Sequence, residues 1–288
     1  MQASIIITTY NRSEILKRAI SSARAQEFDD YEILVVDHAS TDDTAEVMKH
    51  YPDVRYIRIE KNSGIVSTAR NRGVREAKGE FIVFLDDDNE LDPMFLKKTV
   101  ELLAPAKDMH AICTGRILRR SDFESYAAPY RSDMFGNDKF ASIDGGWLIR
   151  KSVFDEIQYD EKMFFSEDGD FGLRFTEKFA YMNTPDALHI VYTEGEHSHS
   201  SPNPKMLNAI NYYLKKNLKY FKNDKNELRF LYRLVARRFY MGGRKIEGIK
   251  YFWKSFWVMK NLRTFKHFLF ILCGWKVYNW YMTKEERK

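Results

Sequence analysis

The chain has few cysteines and no segment typical of export. Only two of its 288 residues are cysteine, Cys113 and Cys273, which excludes a disulfide framework and the spacing of a zinc site. The opening residues run directly into an apolar stretch, without the basic and long apolar regions of a signal peptide. Together these absences predict a protein of the reducing cytoplasm.

Long apolar runs and glycine-rich phosphate loops are also missing. The longest apolar run near the end, Phe268 to Trp275, is far shorter than the roughly 20 residues that span a bilayer. Gly242-Gly243-Arg244-Lys245 lacks the spacing of either common phosphate-binding loop. The sequence therefore predicts neither a membrane span nor a nucleotide site built on glycines.

Charge is divided unevenly along the chain. Residues 1–204 carry 25 Lys and Arg against 36 Asp and Glu, whereas residues 205–288 carry 21 against 5. The net charge is therefore −11 before residue 205 and +16 after it. We expect a catalytic region over 1–204 and a helical, basic and aromatic region over 205–288.

Strands alternate with helices through the first 110 residues. Short apolar runs predict strands at Ala3–Thr8, Glu32–Asp37, Val54–Ile59 and Glu80–Leu85, with helical patterns between them. This alternation predicts a mostly parallel sheet flanked by helices. In such sheets ligands bind beyond the carboxyl ends of the strands, where the polar loops of this chain lie.

Three consecutive carboxylates, Asp86, Asp87 and Asp88, end the fourth of these strands. Adjacent carboxylates repel one another, and a divalent cation relieves that repulsion. Hard oxygen ligands suit magnesium or manganese. The alternative is a solvated turn whose acids favour the N-terminus of the next helix.

Two further clusters carry groups suited to catalysis or metal binding. Glu167-Asp168 begins a predicted helix over 166–178, where a carboxylate could act as a general base or could only cap the helix. His197 and His199 follow a β-like stretch, and neutral imidazole binds manganese. The alternative for both histidines is a surface loop.

Five segments in a fixed order carry a family resemblance. They are Ile5-Ile6-Ile7-Thr8-Thr9-Tyr10-Asn11-Arg12, Val35-Val36-Asp37 with Ser40-Thr41-Asp42, Asn62-Ser63-Gly64 with Ala69-Arg70-Asn71, Gly79 to Asp88, and Ser166-Glu167-Asp168. Over residues 3–200 the chain resembles glycosyltransferase family 2, whose members have the GT-A fold. The resemblance implies an α/β domain that binds nucleotide over 1–110 and acceptor over 111–204.

The resemblance also implies a reaction and its participants. It predicts an inverting transferase that uses Mn²⁺ or Mg²⁺ to move a sugar from a nucleotide-diphosphate sugar to a hydroxyl group. Asp168 is expected to be the catalytic base, with Glu167 on the acceptor side. Asp88 and His197 are expected to hold the metal, with Asp86 and His199 as further candidates. The residues expected around the donor are Thr8, Thr9, Tyr10, Arg12, Asp37, His38, Asn62, Gly64, Arg70, Asp86 and Asp87.

Alternatives stay open at three of these positions. Arg70 either contacts the nucleotide or forms a structural ion pair. Trp147 either stacks on an acceptor sugar or packs in the core. Relatives usually carry a second acid where this chain has His38, and that acid often contacts uracil. A uridine donor is therefore less certain, unless His38 only faces solvent.

The basic C-terminal region predicts a partner of opposite charge. Basic helices with aromatic residues on one face are typical of an anionic membrane surface, which suits a lipid-linked or surface saccharide acceptor at the inner face of a bacterial membrane. The alternative is packing on the catalytic region or in a homo-oligomer; nucleic acid is not expected as a partner. The rival functions are a nucleotidyltransferase, which needs a glycine-rich loop after its first strand, and a non-catalytic nucleotide-sugar scaffold.

Overall fold

The computed structural model describes residues 1–128, 143, 145–193, 204–260, 262–272, 274 and 277. These residues form two compact units. The first unit comprises the described residues up to 193, and the second comprises those from 204 onward.

The first unit has mixed α/β structure. Its strands are β1 (Ala3–Thr9), β2 (Tyr31–Asp37), β3 (Arg55–Arg58), β4 (Phe81–Asp86), β5 (Glu90–Leu91), β6 (Ala111–Arg119), β7 (Glu124–Ala127), β8 (Trp147–Arg150) and β9 (Tyr181–Tyr192). Its helices are α1 (Ser13–Arg24), α2 (Thr44–Met48), α3 (Val66–Glu76), α4 (Phe95–Leu103), α5 (Val153–Glu156) and α6 (Glu167–Lys178).

One mixed sheet holds the strands of this unit together. Its order is β3-β2-β1-β4-β8-β6-β9-β5, and β7 pairs with β6. The β1–β2, β1–β4 and β2–β3 pairs are parallel, whereas β8 runs antiparallel to both β4 and β6. The expected parallel sheet is therefore confirmed for β1 to β4, and it is extended by antiparallel pairs of β8 and by the parallel pair of β6 and β9.

Both faces of the sheet are buried, which explains why its central strands are continuous apolar runs. In β1, Ile5 and Ile7 enter the core on one face, where helix α1 packs, and Ile6 enters the core on the other. Phe171 and Phe175 of α6 belong to this second core. Helices thus cover both faces and leave the strand ends free to carry polar loops.

Several elements of this unit differ from the predicted pattern. Strands β5 and β7 and the first half of β9 were not predicted, because they depend on pairing with strands distant in sequence. Helix α4 begins at Phe95, two residues beyond Pro93, so this proline precedes the helix and does not lie in its first turn. The other predicted strands and helices differ from the observed ones by a few residues at their ends.

The second unit is helical. It consists of α7 (Pro204–Phe221), α8 (Lys225–Met241), α9 (Lys245–Met259) and α10 (Leu262–Leu272). Asp224 caps α8 by accepting backbone hydrogen bonds from Asn226 at 2.8 Å and Glu227 at 3.2 Å. The rings of Phe239 and Tyr251 stack between α8 and α9 at 5.6 Å. Among the described helices, none has both the length and the apolar character that crossing a membrane requires.

Candidate active site

The polar loops that follow β1, β2 and β4 lie side by side at one edge of the sheet. Thr9 at the end of β1 is in register with Asp37 at the end of β2, and Thr8 is in register with Asp86 of β4. Parallel strands bring the following loops to the same edge, so this register unites clusters that are distant in sequence. The predicted convergence of these loops is confirmed.

Arg12 holds the acidic residues that follow β4. Its Nη1 donates to Asp87 Oδ1 at 2.8 Å and to Asp88 Oδ2 at 3.1 Å, while the hydroxyl of Thr9 donates to Asp87 Oδ2 at 2.8 Å. Burial nevertheless raises the pKa of Asp87 to about 6. Both oxygens of Asp87 are thus engaged within the protein, whereas Asp88 is more exposed.

Arg18 is a basic residue at this edge that was not selected from the sequence. Its Nη2 donates to the backbone carbonyl of Asp88 at 2.6 Å, and its guanidinium lies 3.6 Å from the ring centroid of Tyr192. Arg18 lies in α1, the helix that begins after Arg12. It is separated from Asp88 by 70 positions in the sequence. Only the fold reveals this contact, which fixes the backbone of the acidic loop.

Asp37 is the centre of a buried hydrogen-bond cluster. Its side chain is 0% exposed and accepts from the backbone N–H of Ser40 at 2.8 Å, the hydroxyl of Tyr56 at 2.5 Å and Nη1 of Arg58 at 2.9 Å. In this arrangement Asp37 shapes the loop after β2. Tyr56 and Arg58 were not selected from the sequence, although the β2–β3 register places Arg58 opposite Asp37.

His38 points into the protein, which excludes the alternative that it faces solvent. It is buried, and its Nε2 accepts the backbone N–H of Ser63 at 3.1 Å. Burial lowers the pKa of His38, so the imidazole is neutral and can serve as this acceptor. His38 therefore links the loop after β2 to the Asn62-Ser63-Gly64 loop.

The loop before α3 is closed by its own side chains. Asn62 Oδ1 accepts the backbone N–H of Gly64 at 2.6 Å, and Gly64 has a φ of +74°, a conformation that favours glycine. Tyr10, which directly follows β1, has an exposed side chain. Asn62 thus acts on the backbone of its own loop, whereas the ring of Tyr10 is open to solvent.

Arg70 joins the acidic loop to the start of α6. Its side chain is 5% exposed, and it donates to Asp86 Oδ1 at 3.2 Å and to Glu167 Oε1 at 3.1 Å. The ring of Tyr159 lies 5.2 Å from the guanidinium carbon. Of the two alternatives for Arg70, the structure shows the ion pair.

Glu167 and Asp168 begin α6 on a constrained backbone. Ser166, which precedes them, has a φ of +53°, which is uncommon for a residue other than glycine. Burial and the adjacent charge of Asp168 raise the pKa of Glu167, and Arg70 opposes this effect. Asp168 is partly exposed at the same edge.

Strained backbone is concentrated at this edge. Asn11 after β1 and Ala39 after β2 also have positive φ values of 52° and 62°. Residues in such conformations cluster at functional sites, where the surrounding structure holds them. With Ser166, three separate loops show this feature around the same group of acids.

The acidic loop fits a metal site of few protein ligands. Burial, and then the charge of Asp86, raise the pKa of Asp88, so a cation beside these carboxylates would relieve their repulsion. Magnesium commonly binds one or two carboxylates together with water and phosphate oxygens. No group of three or more Asp, Glu, His or Cys side chains suited to a metal occurs in the described part of the chain. His197 and His199 lie outside the described residues.

Trp147 does not occupy the position expected for an acceptor contact. It is 1% exposed and packs against Tyr181, with ring centroids 5.1 Å apart, and against Phe175 at 6.3 Å. Its side chain belongs to the second core of the sheet. The core alternative is therefore correct for Trp147, because strand β8 lies in the middle of the sheet.

His189 is a buried polar residue that the sequence did not single out. Its Nε2 has no hydrogen-bond partner among the residues that the structure describes, and burial lowers its pKa to about 4. A Cβ atom at Gly145 would lie 2.6 Å from the imidazole, and Gly146 has a φ of +82°. Two consecutive glycines thus admit this ring behind the start of β8.

Comparison with known proteins identifies the family of this chain. Residues 4–158 match the sequence pattern of the family described as Glycosyl transferase family 2. The chain belongs to this family. It is therefore a glycosyltransferase, and the resemblance carried by its motifs is confirmed.

Relatives of the chain include two bacterial glycosyltransferases. The uncharacterized glycosyltransferase YwdF of Bacillus subtilis is 31% identical over 196 residues, which are 65% of this chain and 72% of YwdF. The poly(ribitol-phosphate) beta-N-acetylglucosaminyltransferase TarP of Staphylococcus aureus is 30% identical over 215 residues, 68% of this chain. The match covers 64% of the length of TarP.

Solved structures confirm the fold. The crystal structure of S. aureus TarS 1-349 in complex with UDP-GlcNAc matches with a TM-score of 0.64 at 17% identity, covering 92% of this chain and 83% of that one. At this identity the likeness concerns the fold alone. It confirms the GT-A fold expected from the motifs.

Proposed function

We propose that this protein is an inverting glycosyltransferase that moves a sugar from a uridine-diphosphate sugar to a hydroxyl group of a saccharide. The observation that carries the proposal is that Arg70 pairs with both Asp86, the first of the three consecutive acids, and Glu167, the neighbour of Asp168. This edge offers acids for a cation and a carboxylate for a proton in one place. We assign catalysis to residues 1–204.

The donor half of the proposal rests on the loops after β1, β2 and β4. Exposed Tyr10, with Thr8 and Asn62, borders the space for a nucleoside, and Asp37 and His38 shape its wall. The structural neighbour TarS carries UDP-GlcNAc in one crystal and UDP in another, which supports a uridine nucleotide for this chain. His38 stands where relatives usually carry a second acid, so comparison of nucleotides with different bases tests this part of the proposal directly.

The diphosphate would lie beside the acidic loop. Asp88, with Asp86 as a second candidate, would hold Mg²⁺ or Mn²⁺, and His197 is proposed as a further ligand. Such a cation supplies compensation for the negative charge that builds on a leaving diphosphate. Asp87 is proposed to position the loop, because its hydrogen bonds with Arg12 and Thr9 hold the backbone that carries Asp88.

Asp168 is proposed as the catalytic base. It would take the proton of the acceptor hydroxyl while that oxygen forms a bond to the anomeric carbon and the carbon–oxygen bond to the diphosphate breaks. Attack from the face opposite the leaving group inverts the anomeric configuration. Glu167 would hold the start of α6 through Arg70, which keeps Asp168 in position.

The acceptor is proposed to be a lipid-linked or surface-glycan saccharide. TarP, by its name, acts on poly(ribitol-phosphate), and this supports a bacterial cell-surface acceptor for the present chain. Work at the inner face of the cytoplasmic membrane would suit such an acceptor and the basic residues of 205–288. The acceptor-binding half is assigned to residues 111–204.

Nucleoside diphosphate binding tests the donor proposal. We expect UDP, with manganese or magnesium, to raise the melting temperature more than ADP, GDP or CDP do. A ligand at about 100 times its dissociation constant adds about 2.7 kcal/mol to the free energy of unfolding, so the correct base should stand out. An equal response to all four nucleotides would contradict the proposed uridine donor.

A further inference from the structure

The helical unit carries an exposed aromatic surface on its last two described helices. Trp253 is 41% exposed and Trp257 is 50% exposed, one turn apart on α9. Phe265, Leu269 and Leu272 are exposed along α10 at the spacing of one helical face. These five residues are called the apolar patch below. Soluble proteins rarely leave such a contiguous set open unless it meets a partner or a membrane.

Ring contacts connect the apolar patch into one surface. Trp253 lies 5.6 Å from Trp257 and 5.0 Å from Phe268, measured between ring centroids. Phe256 lies 5.4 Å from Phe265 and so connects α9 to α10. Behind them Phe252 and Ile271 are buried in the small core of the unit. The exposed rings thus pack beside this core and are not part of it.

Exposed lysines accompany the apolar patch along the chain, and the segment that carries the patch contains no acidic residue. Lys250 and Lys254 of α9 and Lys266 of α10 are exposed, and exposed Lys260, which directly follows α9, lies 4.7 Å from the ring centroid of Trp257. Residues 248–284 contain seven Lys or Arg and no Asp or Glu. The segment that carries the apolar patch therefore bears only positive charges.

We propose that the apolar patch inserts into the headgroup region of an anionic bilayer, with the surrounding lysines on lipid phosphates. Tryptophan favours the membrane–water interface because its ring is amphipathic, and lysine can keep its charge in water above its apolar stem. A soluble polyanion would satisfy the lysines but would leave the aromatic rings in water. A symmetric contact between two copies would place lysines opposite lysines, with no acids to pair them.

Vesicle co-sedimentation of the full chain tests this proposal. The probes are vesicles of phosphatidylcholine alone and vesicles with an equal part of phosphatidylglycerol. We expect binding to the anionic vesicles that weakens as salt is added, and little binding to the neutral ones. Equal binding to both kinds, or binding to neither at low salt, would overturn the proposal.

Variants separate the apolar and electrostatic contributions. The double variant Trp253→Ala/Trp257→Ala should lower the partition coefficient on anionic vesicles by about tenfold or more. The variant Lys250→Gln/Lys254→Gln/Lys260→Gln should bind more weakly and with a flatter salt dependence. Phe123→Ala, which removes an exposed aromatic ring from the first unit, is the matched control and should bind as the wild type does.

Two further measurements assign the partner. Light scattering after gel filtration reports whether the tryptophan variant changes the oligomeric state. A dimer that becomes a monomer in this variant, without vesicle binding by the wild type, would assign the apolar patch to a second copy and overturn the proposal. Donor hydrolysis by the variant in solution should equal that of the wild type, because every residue proposed for donor binding, metal binding or catalysis lies before residue 205.

Discussion

Arg70 lies between the two acidic groups of the site, with its Nη1 3.1 Å from Glu167 Oε1 and its Nη2 3.2 Å from Asp86 Oδ1. The guanidinium is almost fully buried, so neither contact is readily replaced by water. One rigid side chain therefore sets the distance between the loop that would hold the diphosphate and the helix that carries Asp168. We therefore expect the positions of the acidic loop and of Asp168 to depend on Arg70, although no substrate contact is assigned to Arg70.

Replacement of Arg70 tests this link. Arg70→Lys keeps the charge but has a single amino group in place of the two guanidinium nitrogens that bind Glu167 and Asp86. We therefore expect kcat to fall by about tenfold or more. The free energy of unfolding should fall by about 2 kcal/mol, less than for a fully buried pair because Asp86 is partly exposed. Arg72→Lys, an exposed change on the same helix, is the control and should alter neither quantity. Wild-type kcat in the Arg70 variant would contradict the link.

Asp88 should be needed for metal-dependent donor binding. In Asp88→Ala the remaining carboxylates are held by Arg12 and Arg70, so the loop should keep its shape while its exposed ligand is lost. We expect the affinity for UDP measured with manganese to fall to the value measured without it. Calorimetric titration checks this, with the exposed Asp108→Ala as control. A metal-dependent affinity equal to that of the wild type would remove Asp88 from the site.

His189 should make the fold sensitive to acid. Its pKa is lowered from 6.5 to about 4, so between these values the unfolded chain binds a proton that the folded chain does not. The free energy of unfolding should therefore fall by up to about 3 kcal/mol as pH drops through this window, and this contribution is fully present above it.

Urea unfolding at a series of pH values measures this dependence. His189→Leu should flatten the fall between pH 6.5 and 4, whereas His50→Leu, at an exposed position, should leave it unchanged. The comparison uses slopes, so a uniform change in stability caused by the new side chain does not affect it. An unaltered slope in His189→Leu would show that the imidazole titrates alike in the folded and unfolded chains.

The part of the sheet formed by β1 to β4 was predictable because the sequence pattern of each strand is local. Ile5, Ile6 and Ile7 form a continuous apolar run, as expected for a strand buried on both faces, and Asp86 follows a similar run. Parallel pairing then fixes which ends meet, so the convergence of Thr9, Asp37 and Asp86 follows from the order of the strands. The acids of the site could thus be placed together from the sequence.

The contacts that hold those acids were less predictable because they span long separations. Arg18 and Asp88 are 70 positions apart, and Arg70 and Glu167 are 97 apart. The environment of Trp147 could not be predicted for a different reason: an aromatic residue in a strand has the same sequence pattern whether it packs in a core or faces a ligand. The structure shows that Trp147 lies in the core, because β8 is placed between β4 and β6.

The most direct test of the account is release of UDP from UDP-GlcNAc by the purified protein, compared with Asp168→Asn and with the exposed control Asp155→Asn. We expect the wild type and Asp155→Asn to release UDP, slowly to water and faster with a saccharide acceptor. Asp168→Asn should bind UDP normally and turn over about 10²-fold to 10⁴-fold more slowly. Turnover by Asp168→Asn at the wild-type rate would contradict the assignment of the base, and binding without any turnover by the wild type would contradict catalysis with this donor.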